Sequence, residues 1–146
     1  MDNHIYLCID LKTFYASCEC VMRNLDPFET NLVVADPSRG KGAICLAISP
    51  KLKAMGIRNR CRLFEIPDGI EYITAMPQMK KYMEFSSKIY SIYLRYIAKE
   101  DIYPYSIDEM FLDVTTYLSL YKTTPEKLAK ALMNKIRREL GLPSAC

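Results

Sequence analysis

The chain has 146 residues, half of them hydrophobic and a quarter charged, which is the composition of a globular domain and excludes a disordered chain. Five glycines and eight prolines exclude collagen-like and low-complexity architectures, and no apolar run approaches the ~20 residues of a membrane span. The net charge of +3 is too mild to identify a partner, yet every charged residue from Arg39 to Arg62 is basic (Arg39, Lys41, Lys51, Lys53, Arg58, Arg60, Arg62), so the rest of the chain sums to −4. That segment reads either as an anion-seeking surface or as a solvated basic face.

In chain order, Ile5 to Ile9 is an apolar run ending in Asp10 and reads as a buried strand. The start lacks the basic flank and small-residue cleavage site of a signal peptide. His4, the sole histidine, is expected to be exposed and without a partner. A helical spacing of Phe14, Cys18, Val21 and Leu25 follows, stopped by Asp26-Pro27. Leu32 to Ala35 and Ala43 to Ile48 read as two strands of a hairpin around Asp36-Pro37-Ser38-Arg39-Gly40. Ser49-Pro50 starts a short helix that Gly56 ends. Arg58 to Ile66 is irregular, and Tyr72 to Ala75 is a further short strand. The longest helix spans Gln78 to Ala98, with a stripe through Met79, Tyr82, Met83, Ser86, Ile89, Tyr90, Tyr93 and Ile97. Tyr103 to Ile107 and Met110 to Val114 are strands joined at Asp108-Glu109. A last helix from Thr124-Pro125-Glu126 to Leu140 sets Leu128, Leu132, Ile136 and Leu140 at spacing four, and Gly141 closes it.

Without the inserted hairpin and short helix, the order is β-α-β-β-α. The fold class expected is therefore α+β: a ferredoxin-like split βαβ unit whose last strand is missing, since the chain stops at Leu142 to Cys146, where that strand begins. Its absence would leave Ile5 to Ile9 as an unprotected edge, expected either to self-associate or to recruit Leu142 to Cys146. Six cysteines (8, 18, 20, 45, 61, 146) form no Cys-x-x-Cys pair and assemble no zinc site, which fits a reducing, cytoplasmic setting.

Asp10, Asp108 and Glu109 fall at the ends of neighbouring strands. Within a regular strand, consecutive side chains point to opposite faces, so Asp108 and Glu109 can share a site only if the hairpin connection breaks the alternation. Converging carboxylates repel unless a cation neutralises them, and Mg²⁺ takes such oxygens together with substrate phosphates. The plain alternatives are that Asp-Glu is turn chemistry and that Asp10 caps the next helix. Asp113, further along its strand, reads as structural.

At these residues the chain resembles the Y-family translesion DNA polymerases. Ile9-Asp10-Leu11-Lys12-Thr13-Phe14-Tyr15-Ala16-Ser17-Cys18-Glu19 looks like the family's opening motif, an Asp followed by an aromatic pair and a small-residue helix ending in Glu. Tyr105-Ser106-Ile107-Asp108-Glu109-Met110-Phe111-Leu112-Asp113 resembles its Ser-Ile-Asp-Glu motif, and Ala43 to Ile57 takes the place of its fingers helix. Ile48-Ser49-Pro50 and Arg60-Cys61-Arg62-Leu63-Phe64-Glu65-Ile66-Pro67 look most like the UmuC/ImpB/MucB-type branch.

The resemblance implies that Asp10, Asp108, Glu109 and the Leu11 carbonyl hold two Mg²⁺ ions, and that Asp10, Asp108 and Glu109 are the catalytic set. It implies that Tyr15 is the steric gate beneath the incoming sugar. Phe14, its neighbour, is carried with it in the nucleotide-binding set, although it lies on the inward-packing stripe. Glu19 and Ser17 match family positions and are assigned structural support. Many members hold the triphosphate with a Tyr and an Arg three residues apart, where this chain has Pro50 and Lys53. Lys53 binds phosphate as a point charge, Pro50 donates nothing, and Ser49 or Lys51 would compensate. Ile44 and Leu46 would roof the nascent base pair. The family continues into a last palm strand, a triphosphate-contacting Lys, a thumb and a little-finger DNA-binding domain, all beyond Cys146.

The implied organisation is a palm at residues 1–24 and 78–146 around fingers at 25–77. The implied function is template-directed nucleotidyl transfer on primer-template DNA and dNTP, in translesion synthesis and SOS-type damage tolerance. A sliding clamp is a further partner, a membrane is not, and the isolated piece is expected to be inactive. The competing reading is a non-catalytic relative acting as a binding or regulatory module, favoured by Pro50 and the missing strand. A cyclase-like enzyme on the same palm also needs paired metals but leaves Tyr15 and the basic insertion unexplained.

Overall fold

Alternation along one strand sets the frame. The computed structural model of the chain describes residues 4–11 and 13–146. In chain order the elements are β1 (Tyr6–Leu11), α1 (Phe14–Met22), β2 (Leu32–Val34), β3 (Ala47–Ile48), α2 (Pro50–Ala54), β4 (Ile73–Ala75), α3 (Met79–Leu94), β5 (Ile102–Ser106), β6 (Glu109–Asp113), α4 (Tyr117–Leu120), α5 (Pro125–Leu140) and β7 (Ser144–Ala145). They belong to two compact units, Met1–Lys12 with Met83–Cys146, and Thr13–Tyr82.

The first unit carries a four-stranded sheet of order β5-β6-β1-β7, antiparallel throughout. In β1, Leu7, Ile9 and Leu11 are buried, while Tyr6 and Asp10 are exposed. Burying the first set fixes the register against β6, because a slip by one residue would turn every apolar side chain outward. Pro104 stands in β5, the edge strand, where its missing N–H costs no ladder bond. Helix α5 begins as its sequence dictates. The Thr124 hydroxyl accepts from the Lys127 N–H, Pro125 occupies the first turn, and Leu128, Ala129, Leu132 and Ile136 are buried. Gly141 ends it at φ 75°, a left-handed conformation that costs glycine nothing.

Two expectations change here. The last strand, expected to be missing, is present as the recruited tail, one of the two expected outcomes for the first strand's edge: Ser144 and Ala145 pair with Leu11 and Asp10. The tail covers that end of β1 because the first strand's outer edge offers unpaired N–H and C=O groups to any nearby chain. On α3, Tyr82, Ile89 and Tyr93 are buried as the stripe requires, but Met79 and Met83 are exposed and Ile92 is buried instead. Ile97 is buried beyond the helix end.

The second unit carries a sheet of order β3-β2-β4, with β3 antiparallel and β4 parallel to β2. The expected strand from Ala43 to Ile48 shrinks to Ala47–Ile48. Its first half bonds elsewhere: the Cys45 N–H donates to the Cys61 carbonyl (2.8 Å), and the Leu63 N–H donates to Ala43 (3.0 Å). The basic stretch thus completes the core of this unit, where Cys45, Cys61, Leu63 and Ile66 join Val33, Ile48 and Leu52.

Ser49 joins α2 to β2. Its hydroxyl donates to the Thr30 carbonyl (2.6 Å) and accepts from Leu32 N–H (3.2 Å) and, as N-cap, from Leu52 N–H (3.5 Å). The residue is fully buried. Ser49→Ala leaves these groups unsatisfied and is expected to cost about 1–3 kcal/mol. Urea unfolding should show a lower midpoint with an unchanged slope, whereas an unmoved midpoint would show the hydroxyl to be dispensable.

Candidate active site

Strands β5 and β6 are joined by the two-residue turn Ile107–Asp108, with Ser106 opposite Glu109. The pairing of β1 with β6 places Asp10 directly opposite Glu109. Paired residues of an antiparallel ladder project on the same face, so both carboxylates stand on the face away from Leu7, Ile9 and Leu11. Asp108 follows in the turn. Its carbonyl accepts from the Leu11 N–H (2.9 Å), and its carboxylate accepts from the Ser106 hydroxyl (2.8 Å). The sheet thus brings the three acidic residues to one end of two neighbouring strands. Their carboxylates stand apart: among the described residues, no three His, Cys, Asp or Glu side chains are close enough to hold a metal ion. Glu109 lies in the strand and Asp108 in the turn.

Cys8 shares the face of Asp10, and its thiol donates to Glu109 Oε1 at 3.2 Å. Burial pushes this thiol up to about 11, with the Glu109 hydrogen bond and the charges of Glu109 and Asp10 adding to the rise. Asp113 is structural. It accepts from the Thr115 hydroxyl (2.6 Å) and N–H (3.1 Å), which hold its carboxyl below the usual range, and it meets His4 Nδ1 at 2.8 Å. His4 therefore has a partner, 109 positions away in sequence, that no local pattern reveals.

In the second unit, Phe14 is buried and Tyr15 half-buried at the start of α1. The Tyr15 ring stacks on Tyr82 with centroids 4.8 Å apart and planes 19° apart. Tyr82 is held by Glu19, the residue to which the motif assigned structural support. Glu19 is fully buried. It accepts from the Tyr82 hydroxyl (2.7 Å), from Gln78 Nε2 at both oxygens (2.9 Å each), and from Arg23 one helical turn on. The Glu19–Arg23 spacing of four was the available signal.

Ile44 and Leu46 are exposed, 48% and 42%, and line one cleft with Arg39, Arg60, Arg62 and Met76. Of the residues expected at a triphosphate, Lys53 is exposed. Lys51 donates to the Glu29 carbonyl (3.3 Å), and Ser49 is buried with its hydroxyl committed to the backbone, so it faces no ligand.

Residues 9–146 match the model of the impB/mucB/samB family, and the chain belongs to that family. It is 39% identical over 137 residues to UvrX of Bacillus subtilis, named for UV-damage repair, and 33% identical over 146 residues to DNA polymerase IV 2 of the same organism. It spans about a third of each, 32% and 34%. It also matches 90% of the Bacillus subtilis DNA repair protein homolog YozK, at 38% identity. Among solved structures, DinB from Sulfolobus solfataricus superposes with a TM-score of 0.74 at 21% identity, covering 95% of this chain and 40% of that one. An insertion ternary complex of Dbh DNA polymerase gives 0.76 at 21% identity, over the same shares. These likenesses show the fold, that of the Y-family polymerases, as the motifs implied. No helix among the described residues is long and apolar enough to cross a membrane.

The Cys8–Glu109 bond makes the acidic end readable. Glu109→Gln removes one of the charges that add to burial in holding the thiol protonated, so Cys8 should alkylate faster at pH 8 in the variant, by several-fold, as followed by peptide mass spectrometry. Equal rates would mean that Glu109 does not govern this site.

Proposed function

We propose that the chain is the catalytic N-terminal part of a template-directed DNA polymerase that works across damaged templates. The observation that carries this is the β1–β6 register, which sets Asp10 opposite Glu109 and ties the Asp108 carbonyl to Leu11. Carboxylates on two paired strands, with a backbone carbonyl beside them, are the hard oxygen donors that Mg²⁺ takes. Asp10, Asp108, Glu109 and the Leu11 carbonyl are the residues that would hold two such ions. Bound there, Mg²⁺ would supply charge neutralisation for a primer 3′-hydroxyl and the phosphates of a dNTP. The protein's own part is positioning. Asp10 and Glu109 hold their place through the ladder, and Asp108 through its turn. Tyr15 stands as the ring that refuses a 2′-hydroxyl, with Phe14 packed inward behind it. Lys53 supplies positive charge for the triphosphate, and Ile44 and Leu46 cover the nascent base pair. The arginine-lined cleft suits the phosphates of primer-template DNA.

In this assignment residues 1–24 and 78–146 serve as palm and 25–77 as fingers. The UV-damage name of UvrX supports an SOS-type role. Six free cysteines support a reducing, cytoplasmic setting. The shortness of the β7 pairing, which engages only Asp10 and Leu11 of β1, supports self-association of the isolated chain. One observation favours a second reading, a non-catalytic module: YozK, named a DNA repair protein homolog, is 90% spanned by this chain.

Two experiments test the proposal. Millimolar Mg²⁺ should speed Cys8 alkylation in the native chain, because an ion at Glu109 relieves the thiol of that charge, and should do nothing in Asp10→Asn. No effect of Mg²⁺ on the native chain would sink the metal site. In a chimaera where residues 1–146 replace the matching N-terminal third of Bacillus subtilis DNA polymerase IV 2, Asp108→Ala should abolish nucleotide addition and leave DNA binding intact, and Tyr15→Ala should admit ribonucleotides. Retained addition in the first variant would overturn the role of Asp108, and a chimaera that binds DNA but never extends it would favour the non-catalytic module.

A further inference from the structure

We propose that Tyr82, pinned by Glu19, is the positioning residue for Tyr15, so that discrimination between deoxyribose and ribose depends on a side chain that does not itself face the sugar. The proposal rests on the steric-gate reading of Tyr15. A gate acts by volume at a fixed place, and a ring that rotates about its first torsion yields the space that it should deny. Shifts of about 1 Å at a reacting centre change rates by about a hundredfold. What fixes the Tyr15 ring is therefore part of the discrimination.

Tyr82 is built for that task. Its ring lies flat against Tyr15, 4.8 Å between centroids and 19° between planes. It is fully buried, so the backing ring cannot swing into solvent. Its hydroxyl donates to Glu19 Oε2 at 2.7 Å, which fixes the far end of the ring. Burial pushes the phenol well above its ordinary value, so the proton stays on the donor. Glu19 is held in turn. Gln78 Nε2 donates to both of its oxygens at 2.9 Å, and Arg23 completes the set with an ion pair. A fully buried carboxylate is an expensive way to fill space, and an apolar side chain of similar volume would pack as well. What the carboxylate adds is direction, with Tyr82, Gln78 and Arg23 each locked at one point. Phe14, 6.0 Å from Tyr15, meets the gate from its own helix at a tilted 51°, whereas Tyr82 lies flat against it.

The test has two arms. In the chain labelled with 3-fluorotyrosine, the Tyr15 resonance is assigned by its loss in Tyr15→Phe. Tyr82→Leu should shift it by removing the ring current and should speed its ring flip, and Tyr82→Phe should leave the shift nearly in place but speed the flip. A Tyr15 resonance unchanged in both variants overturns the support. In the chimaera described above, the ratio of dNTP to rNTP incorporation should fall by about tenfold or more in Tyr82→Leu. The fall should be smaller in Tyr82→Phe and largest in Tyr15→Ala. A ratio that falls in Tyr15→Ala but not in either Tyr82 variant overturns the positioning role and leaves the gate standing. A ratio unmoved by Tyr15→Ala overturns the gate reading itself, while the fluorine arm still reports the stacking. A merely structural role for Tyr82 would lower incorporation of both nucleotides equally and leave the ratio alone.

Discussion

The pairing of β1 with β6 is the constraint on which the candidate site depends. Leu7, Ile9 and Leu11 must face the core, and this leaves one register in which β6 can bury Met110 and Leu112 beside them. Asp10 then meets Glu109 without any choice being left to the side chains. The same ladder extends into the turn through the Leu11 N–H, which is why Asp108 cannot drift from the strand end. A displacement of one residue would send Asp10 to the buried face, where an unpaired carboxylate is prohibitive. Core packing and the acidic cluster are thus two readings of one alternation.

The chain uses its acids in three different ways, and the surroundings decide which. Glu19 is buried among donors and serves as an anchor. Asp113 is held by Thr115 and His4 and closes the end of a strand. Asp10 and Glu109 share a face with the Cys8 thiol, which donates to Glu109. The basic segment is similarly divided. Arg58 pairs with Glu65, Arg39 with Asp36, Arg62 reaches the Gly42 carbonyl and Lys51 reaches Glu29. Exposed pairs of this kind add little stability. The ion pairs do reduce the charge on offer, and Lys41, Lys53 and Arg60 are exposed on the same segment.

Much of this was legible in the residues. The Ser-Pro and Thr-Pro helix starts and the terminal Gly141 each carry their physics in the local sequence, and the elements follow; the apolar run from Ile5 to Ile9 marks the first strand, but not that Ile5 and Tyr6 stay exposed while Leu7, Ile9 and Leu11 are buried. The paired acidic motifs pointed to one sheet end because the strand order could be read from the β-α-β-β-α sequence. What stayed hidden is long-range. Ala43 to Cys45 look like a strand, but the Ala43 carbonyl accepts from Leu63 and the Cys45 N–H donates to Cys61, and periodicity cannot show a partner. Ser49 reads equally as a cap and as a phosphate ligand, and only its burial beneath Thr30 and Leu32 decides. Met79 and Met83 fit a helical stripe on paper, yet the face they occupy is open. The Glu19 network joins residues up to 63 positions apart, and its one local sign is the Arg23 pair.

The division of the chain has a consequence for synthesis. The second unit is one uninterrupted stretch, Thr13–Tyr82, set between the first strand and the remainder of the other unit. Its contacts close over short loops, such as Ser49 with Thr30 at 19 positions and Asn31 with Glu71 at 40. Cys8 must wait for Glu109, 101 positions later. Non-local pairing carries the larger entropic cost and forms late. On the ribosome, the inserted unit therefore folds while β1 is still an apolar segment without a sheet, and that segment is the part of the nascent chain most in need of protection from wrong partners.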